Sequence, residues 1–114
     1  MQDDAKGEEN FHEALRRDAH LASSYFGLAR IYQHQQKFEQ AFAAVNAAEK
    51  IDPKNPNYRN LKGQILIRMG RAKEGQEELA AATALLNASR ERRQNELLGG
   101  DLPQPELSSE PKSQ

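Results

Sequence analysis

Apolar side chains recur along the first half of the chain at the spacing of one face of an α-helix. Residues three, four, seven and eight positions apart lie on the same side of a helix, because one turn takes about 3.6 residues. Two such series occur, separated by a short polar stretch around Gln35. The first comprises Leu21, Tyr25, Leu28, Ala29 and Tyr32, and the second comprises Phe38, Ala41, Phe42, Val45 and Ala48. The pattern predicts two consecutive helices.

Residues 52–56 contain signals that end one helix and begin another. Asn55 can accept hydrogen bonds from the free amide groups of a following helix, and Pro56 suits the first turn of that helix. The face of this third helix comprises Tyr58, Leu61, Ile65 and Met69. Gly70 should end it, since glycine readily adopts the left-handed conformation found after a helix.

A fourth apolar series predicts a helix from about Ala72 through Leu79, Ala82 and Leu86. Residues 89–98 either extend this helix or form a separate capping helix, and the pattern leaves both alternatives open. A further helix is predicted near the N-terminus, where Phe11, Ala14 and Leu15 share one face.

Residues 99–114 differ from the rest in composition. They carry three prolines among Ser, Glu, Gln and Lys, and their only large apolar residues are Leu102 and Leu107. Such a segment cannot bury enough apolar surface to offset the entropy lost on ordering. We expect a disordered C-terminal tail.

The apolar series share a period of 34 residues. Ala14, Ala48 and Ala82 are each 34 positions apart, and small or large residues align with their own kind at other positions of this register. Further aligned sets are Phe11, Val45 and Leu79; Gly7, Ala41 and Gly75; Asp18 and Asp52; Ala29 and Gly63; Tyr32 and Leu66. A period of this length is typical of stacked helical hairpins. Small residues at Ala29 and Gly63 should let the two helices of a hairpin cross closely, and Ala41, Ala48 and Ala82 should mark contacts with neighbours.

The stretch 22–55 resembles a tetratricopeptide repeat. Residues at the signature positions of that family are Tyr25, Leu28, Ala29, Tyr32, Phe38, Ala41, Ala48 and Pro53. A second, looser repeat spans 56–89, with Lys62 where leucine is usual and Asn87 in place of the closing proline. The segment 3–19 is similar to the second helix of a preceding repeat. The resemblance covers roughly residues 3–88.

The resemblance implies an all-α fold of about five antiparallel helices, arranged as tetratricopeptide-type hairpins in a right-handed solenoid. The domain boundaries that follow are a helical repeat domain over 1–98 and a tail over 99–114. Within the domain we expect a half-repeat at 3–19, repeats at 22–55 and 56–89, and a capping extension at 90–98.

Members of this family resemble a superhelix whose concave groove is lined by the first helix of each hairpin. That resemblance implies a protein-interaction role, as a scaffold or adaptor, with a peptide or partner helix in the groove. The groove-facing candidates are Ser23, Phe26, Arg30, Gln33, His34, Asn57, Asn60, Gln64, Ile67 and Arg68. Arg30 and Arg68 could together bind a carboxylate. Arg30 and Gln64 stand where family members that clamp chaperone C-termini carry asparagine, which argues against that specialised role.

Composition and motifs predict no catalytic, metal or cofactor site. The chain has no cysteine, and Arg16 stands where a metalloprotease motif beginning at His12-Glu13 requires a second histidine. His20 and His34 belong to separate predicted segments without a carboxylate cluster nearby. The net charge of -1 gives no basis for capture of nucleic acid or membrane. No apolar run reaches the roughly 20 residues that span a bilayer, and the acidic start lacks the features of a signal peptide.

Three alternatives remain open at the level of sequence. The repeats can serve purely as a structural or oligomerisation segment of a larger protein, or, less in keeping with the charge balance, bind RNA. The leading half-repeat lacks its first helix, so the chain is either a fragment of a longer array or self-associates through that half-repeat; we favour the fragment. Arg90, Arg92 and Arg93 either coat the end of the last helix or contact an acidic partner.

Overall fold

The computed structural model describes residues 4–98, and within that span the chain forms five α-helices and no strand. The helices are α1 (Asp4–Arg17), α2 (Ala22–His34), α3 (Phe38–Ile51), α4 (Pro56–Arg68) and α5 (Ala72–Leu97). The all-α prediction is confirmed. The predicted tail over 99–114 lies outside the described residues.

Each helix packs against the next one along the chain, and α2 also touches α4. The most extensive packing lies within the pairs α2–α3 and α4–α5, whereas α1 with α2 and α3 with α4 pack less extensively. The molecule is therefore two helical hairpins preceded by a single helix. This order follows from the short connections, which favour contact between consecutive helices.

The core lies where the two hairpins meet. Val45, Ala48 and Ile65 have no exposed surface, and Tyr58 and Leu61 are nearly as well buried. All five belong to one hydrophobic cluster drawn from α2, α3 and α4. The periodic apolar residues of the sequence therefore form the core because each hairpin covers the apolar face of the other.

Small residues set the spacing of α4 and α5. A Cβ atom added at Gly63 would lie 2.7 Å from the carbonyl oxygen of Gly75, and one added at Gly75 would lie 2.6 Å from the carbonyl oxygen of Gly63. The two backbones thus cross in contact, as expected for Gly63. Leu79 packs beside the same crossing, and its Cγ atom lies 2.8 Å from the position of a Cβ atom added at Gly63.

The turns within the two hairpins have the same geometry at positions 34 residues apart. Gln36 has a φ of 62° and Gly70 a φ of 85°, so both lie in the left-handed region. The Lys37 amide donates to the Tyr32 carbonyl over 2.8 Å, and the Arg71 amide donates to the Leu66 carbonyl over 2.9 Å. These are the hydrogen bonds of a Schellman motif, which satisfies carbonyl groups left free at a helix end.

The turn between α3 and α4 is closed by a side-chain cap. The Asn55 side-chain oxygen accepts a hydrogen bond from the Asn57 amide over 2.9 Å, and Pro56 occupies the first turn of α4. Both features were expected from the sequence. They fix where α4 begins and therefore which of its residues reach the core.

Lys62, which stands where the repeat pattern has leucine, takes part in an ionic network. Its ammonium group lies 3.1 Å from a Glu49 oxygen and 3.9 Å from a Glu78 oxygen, and Arg59 contacts the same two carboxylates at 3.2 and 3.1 Å. The network joins α3, α4 and α5. Its equivalent in the first repeat is apolar, since Leu28 stands 34 positions before Lys62 and is buried. A charged junction thus replaces an apolar one in the second repeat.

Helix α1 is attached to the rest of the molecule by half-buried apolar side chains and by polar contacts. The Phe11 ring lies directly over Gly27, where any side chain would overlap it. The Tyr32 hydroxyl donates to Glu8 over 3.1 Å, and burial together with this carboxylate raises the pKa of Tyr32. No residue of α1 is fully buried. Phe11 and Leu15 are the half-buried side chains of α1 that pack against the hydrophobic core.

Helix α5 is a single helix of 26 residues, which decides between the two alternatives for residues 89–98. Those residues extend it and do not form a separate helix. From Leu86 to Leu98 every residue except Ser89 is exposed. The second half of α5 therefore continues beyond the packed part of the hairpin.

Candidate functional site

An open pocket of about 700 Å³ lies where α1, α2 and the end of α4 come together. We refer to it as the inner pocket. Its lining residues are Asp4, Phe11, Gly27, Arg30, Ile31, Gln33, His34, Gln36 and Arg68. Four of the ten groove candidates, Arg30, Gln33, His34 and Arg68, thus share one surface.

The two arginines of the inner pocket are held by aromatic rings. The Arg30 guanidinium carbon lies 5.9 Å from the centre of the Phe26 ring, and that of Arg68 lies 4.9 Å from the centre of the Phe38 ring. Neither arginine forms an ion pair with a carboxylate within residues 4–98. Stacking on a ring orients a guanidinium while its N–H groups stay available for another acceptor. The pocket therefore presents two oriented cations.

The other polar groups of the inner pocket are paired with each other or with α1. The Gln33 amide donates to the Gln64 side-chain oxygen over 3.3 Å, which places Gln64 beside the pocket and links α2 to α4. His34 Nδ1 lies 2.8 Å from an Asp4 oxygen. Asp4 thus brings an acidic group to the lining of the pocket, where it is paired with His34.

Phe26 does not present its ring freely to a ligand. It is half-buried in the core cluster, and its ring centre lies 5.2 Å from that of Tyr58. Its aromatic partner therefore lies on α4. Burial, with a smaller contribution from Asp52, raises the pKa of Tyr58. Phe26 contributes to the pocket indirectly, as the platform on which Arg30 lies.

The remaining candidates are not gathered into the inner pocket. Asn57 and Asn60 line a separate hollow between α4 and α5. Ser23 and Ile67 are exposed, and Ile67 keeps 39% of its surface accessible. The ten residues all lie on α2 and α4, but they do not share one surface: four line the inner pocket with Gln64 beside it, two line the second hollow, and Ser23, Phe26 and Ile67 line neither.

Five lining residues of the inner pocket were not anticipated from the sequence. Asp4 and Phe11 come from α1, whose side of the pocket no periodicity in α2 or α4 could reveal. Gly27 and Ile31 lie on α2 next to the predicted residues, and Gln36 belongs to the turn that follows. The contact of the Phe11 ring with Gly27 joins residues that are far apart in the chain, so no pattern along the sequence pointed to it.

The histidines occupy three separate environments. His12 lies near Glu8 and the Tyr32 hydroxyl, His20 near Asp18, and His34 beside Asp4. In the part of the chain that the structure describes, no group of three or more His, Asp or Glu residues is placed to hold a metal ion. Over the same residues no helix is both long and apolar enough to cross a membrane.

Comparison with known proteins agrees with the hairpin architecture. The family model described as tetratricopeptide repeat matches residues 3–65, more than half of the chain. No curated protein matches the chain. The matched span contains α1 to α3 and most of α4, including all the residues that line the inner pocket except Arg68. The chain therefore belongs to the tetratricopeptide repeat family, whose members are in general non-catalytic modules for protein interaction.

Proposed function

We propose that this chain is a scaffold or adaptor that binds a peptide or helix of a partner protein in the inner pocket. Arg30 and Arg68 bind a carboxylate of that partner, and Gln33 and Gln64 supply amide groups beside it. The observation that carries the proposal is the pair of arginines stacked on aromatic rings, without a carboxylate partner within residues 4–98. An arginine that is oriented but unpaired can bind a carboxylate with little further loss of side-chain entropy.

The size and lining of the pocket fit an extended peptide or one face of a helix. Apolar surface is available from Phe11 and Ile31, and polar groups surround it. Peptide-binding sites commonly combine apolar contact with a few polar groups that fix orientation. The pocket is open on one side, so a long ligand can enter without a rearrangement of the helices.

The test is a comparison of two charge-reversed double variants. Arg30→Glu with Arg68→Glu alters the inner pocket, and Lys50→Glu with Lys54→Glu makes the same change in net charge at exposed positions outside it. Each protein is immobilised, and captured proteins are quantified by mass spectrometry. We expect partners retained by the wild-type chain and by the lysine variant to be lost by at least tenfold from the arginine variant, since each lost charge-assisted contact weakens binding several-fold.

Two results would contradict the proposal. Equal capture by both double variants would place binding elsewhere. If the wild-type chain captures no specific protein, and both double variants assemble as the wild type does, the purely structural role would be favoured. All four substituted positions are exposed, so the variants should tolerate glutamate and keep their helices. Circular dichroism of each variant checks this.

A further inference from the structure

The hollow between α4 and α5 is an unfilled copy of a surface that is filled earlier in the chain. We call it the end groove; Pro56 and Asn60 of α4 and Leu79, Ala82 and Leu86 of α5 line it, and its volume is about 220 Å³. The residues 34 positions earlier are Ala22, Phe26, Val45, Ala48 and Asp52. The two sets occupy corresponding places in the two hairpins.

The earlier surface shows what fits such a groove. Helix α4 packs there against α3, and its Tyr58 ring lies 5.2 Å from the ring of Phe26. Val45 and Ala48 consequently have 0% of their surface exposed. At the corresponding positions of the end groove, Leu79 is half-buried and Ala82 keeps 7% of its surface accessible. Leu86, which stands where the first hairpin has the exposed Asp52, keeps 41%. Leu79 and Leu86 thus present apolar surface that a helix with an apolar face would cover.

The second half of α5 adds a charge requirement. Arg90 and Arg93 follow Leu86 at spacings of four and seven residues, so they extend the same face of the helix beyond the end groove. Both are exposed, and neither pairs with a carboxylate anywhere in residues 4–98. Helix α3 ends at Ile51, which is 34 positions before Leu85. The first hairpin therefore has no counterpart of the extension of α5 that carries Arg90 and Arg93.

The direction of the missing helix follows from the filled groove. Residues 52–55 connect the end of α3 directly to the start of α4, so the first turn of α4 lies beside the last turn of α3. A helix placed in the same way on the end groove would have its first turn beside residues 82–85, so its N-terminus would point toward the extension of α5 that carries Arg90 and Arg93. Acidic side chains at that N-terminus are the ones nearest the arginines, and they would also favour their own helix N-terminus.

We propose that the end groove together with Arg90 and Arg93 binds an amphipathic helix of a partner protein that has an acidic first turn and an aromatic residue facing Asn60. This site is separate from the inner pocket and does not depend on the function proposed for it. The chain's own residues 99–114 are a poorer fit, because Pro103, Pro105 and Pro111 interrupt a helix of the required three turns. A second copy is also a poorer fit, since its α2 and α4 already pack within their own hairpins.

The probe is a synthetic peptide built on the helix that fills the earlier groove. It comprises residues 54–69 of this chain, acetylated and labelled, with Lys54→Glu and Asn57→Glu to create the acidic first turn. Its two controls are the unaltered peptide and the acidic peptide with Tyr58→Ser and Leu61→Ser. Binding to the full chain is measured by fluorescence anisotropy, and we expect the acidic peptide to bind at least about tenfold tighter than either control.

Variants of the full chain locate the bound peptide. Leu86→Glu should weaken binding of the acidic peptide by about tenfold or more, and Arg90→Gln with Arg93→Gln by about fivefold. Arg92→Gln is the matched control, because Arg92 lies on another side of the helix and should leave the affinity unchanged. All of these positions are exposed, so the variants should fold like the wild-type chain.

Several outcomes would overturn the proposal. If the acidic peptide binds no better than the serine control, the end groove is not a binding site. The same conclusion follows if the acidic peptide binds the Leu86→Glu chain as well as it binds the wild type. A dimer in sedimentation that Leu86→Glu dissociates would assign the end groove to a second copy. If a chain with both Leu102→Ser and Leu107→Ser binds the peptide more tightly than the wild-type chain does, the chain's own C-terminal segment competes for the end groove.

Discussion

Gln36 and Gly70 occupy the same place in the turns of the two hairpins, but only one of them suits it. A residue with a side chain in the left-handed region costs about 1–2 kcal/mol, because its Cβ approaches the backbone carbonyl. Glycine avoids that cost and loses part of the gain through its larger unfolded-state entropy. The hydrogen bonds of the two turns are alike, so the difference between them is one of residue type alone.

Gln36→Gly is therefore expected to raise the free energy of unfolding by about 0.5–1 kcal/mol, the net of those two effects. Gly70→Gln is the reciprocal change, and a Cβ atom there meets nothing within 4 Å, so any loss of stability reports backbone strain and not a clash. Chemical denaturation followed by circular dichroism measures both. If Gly70→Gln left the free energy of unfolding unchanged, backbone strain in the left-handed region would not explain the difference between the two turns.

At the level of helices, the spacing of α4 and α5 depends on the absence of side chains at their crossing. Gly63 and Gly75 bring two backbones together, and a backbone carbonyl cannot move aside as a flexible side chain can. Elsewhere the helix contacts are of a different kind. Phe11 over Gly27 is an aromatic ring in a notch, and the Arg59 and Lys62 network is an ionic junction.

Gly63→Ala should lower the free energy of unfolding by about 1–3 kcal/mol through overpacking. The expected loss exceeds the gain of about 1 kcal/mol that alanine brings in helix propensity. Gly7→Ala is the matched control, since a Cβ atom there meets only the mobile end of Ile31 at 3.2 Å. Denaturation of the two variants should show Gly7→Ala neutral or stabilising. A Gly63→Ala chain as stable as the wild type would mean that α4 and α5 can separate without penalty.

Across the whole molecule, burial is concentrated in the middle helices. Nine residues of α3 and α4 are buried, whereas α1 has no buried residue and α5 has two, both in its first half. The two proposed binding surfaces lie toward the ends of this arrangement. The inner pocket uses α1, and the end groove leads onto the exposed half of α5. Ligands at either surface would therefore contact the less buried helices.

Native-state hydrogen exchange should reveal the same gradient. Amide groups in α3 and α4 should exchange slowest, and those in α1 and in residues 88–97 at least about tenfold faster, because few buried contacts oppose local opening there. Phe11→Ala should accelerate exchange in α1 further and leave α4 almost unchanged. Uniform protection across all five helices would contradict this picture and would indicate a single cooperative unit.

The sequence alone determined the helices, the ends of several of them, and the family. These features depend on local chemistry: apolar spacing, the Asn55 cap, Pro56, Gly70 and small residues on a 34-residue period. The identity of the core followed as well, since residues such as Val45 and Ile65 fall on the faces that must be covered. The one helix whose end remained open, α5, lacks a proline or glycine near residue 89, and the structure shows it continuing.

Only the tertiary structure decided which outward-facing residues share a surface. Outward positions obey no packing constraint, so the sequence grouped Arg30 and Asn60 together although they belong to the inner pocket and the end groove respectively. It also could not show that Asp4 and Phe11 complete the inner pocket, because that contact joins residues far apart in the chain. Periodicity specifies the side of a helix that is buried, whereas the partners of its exposed side depend on how separate helices come together.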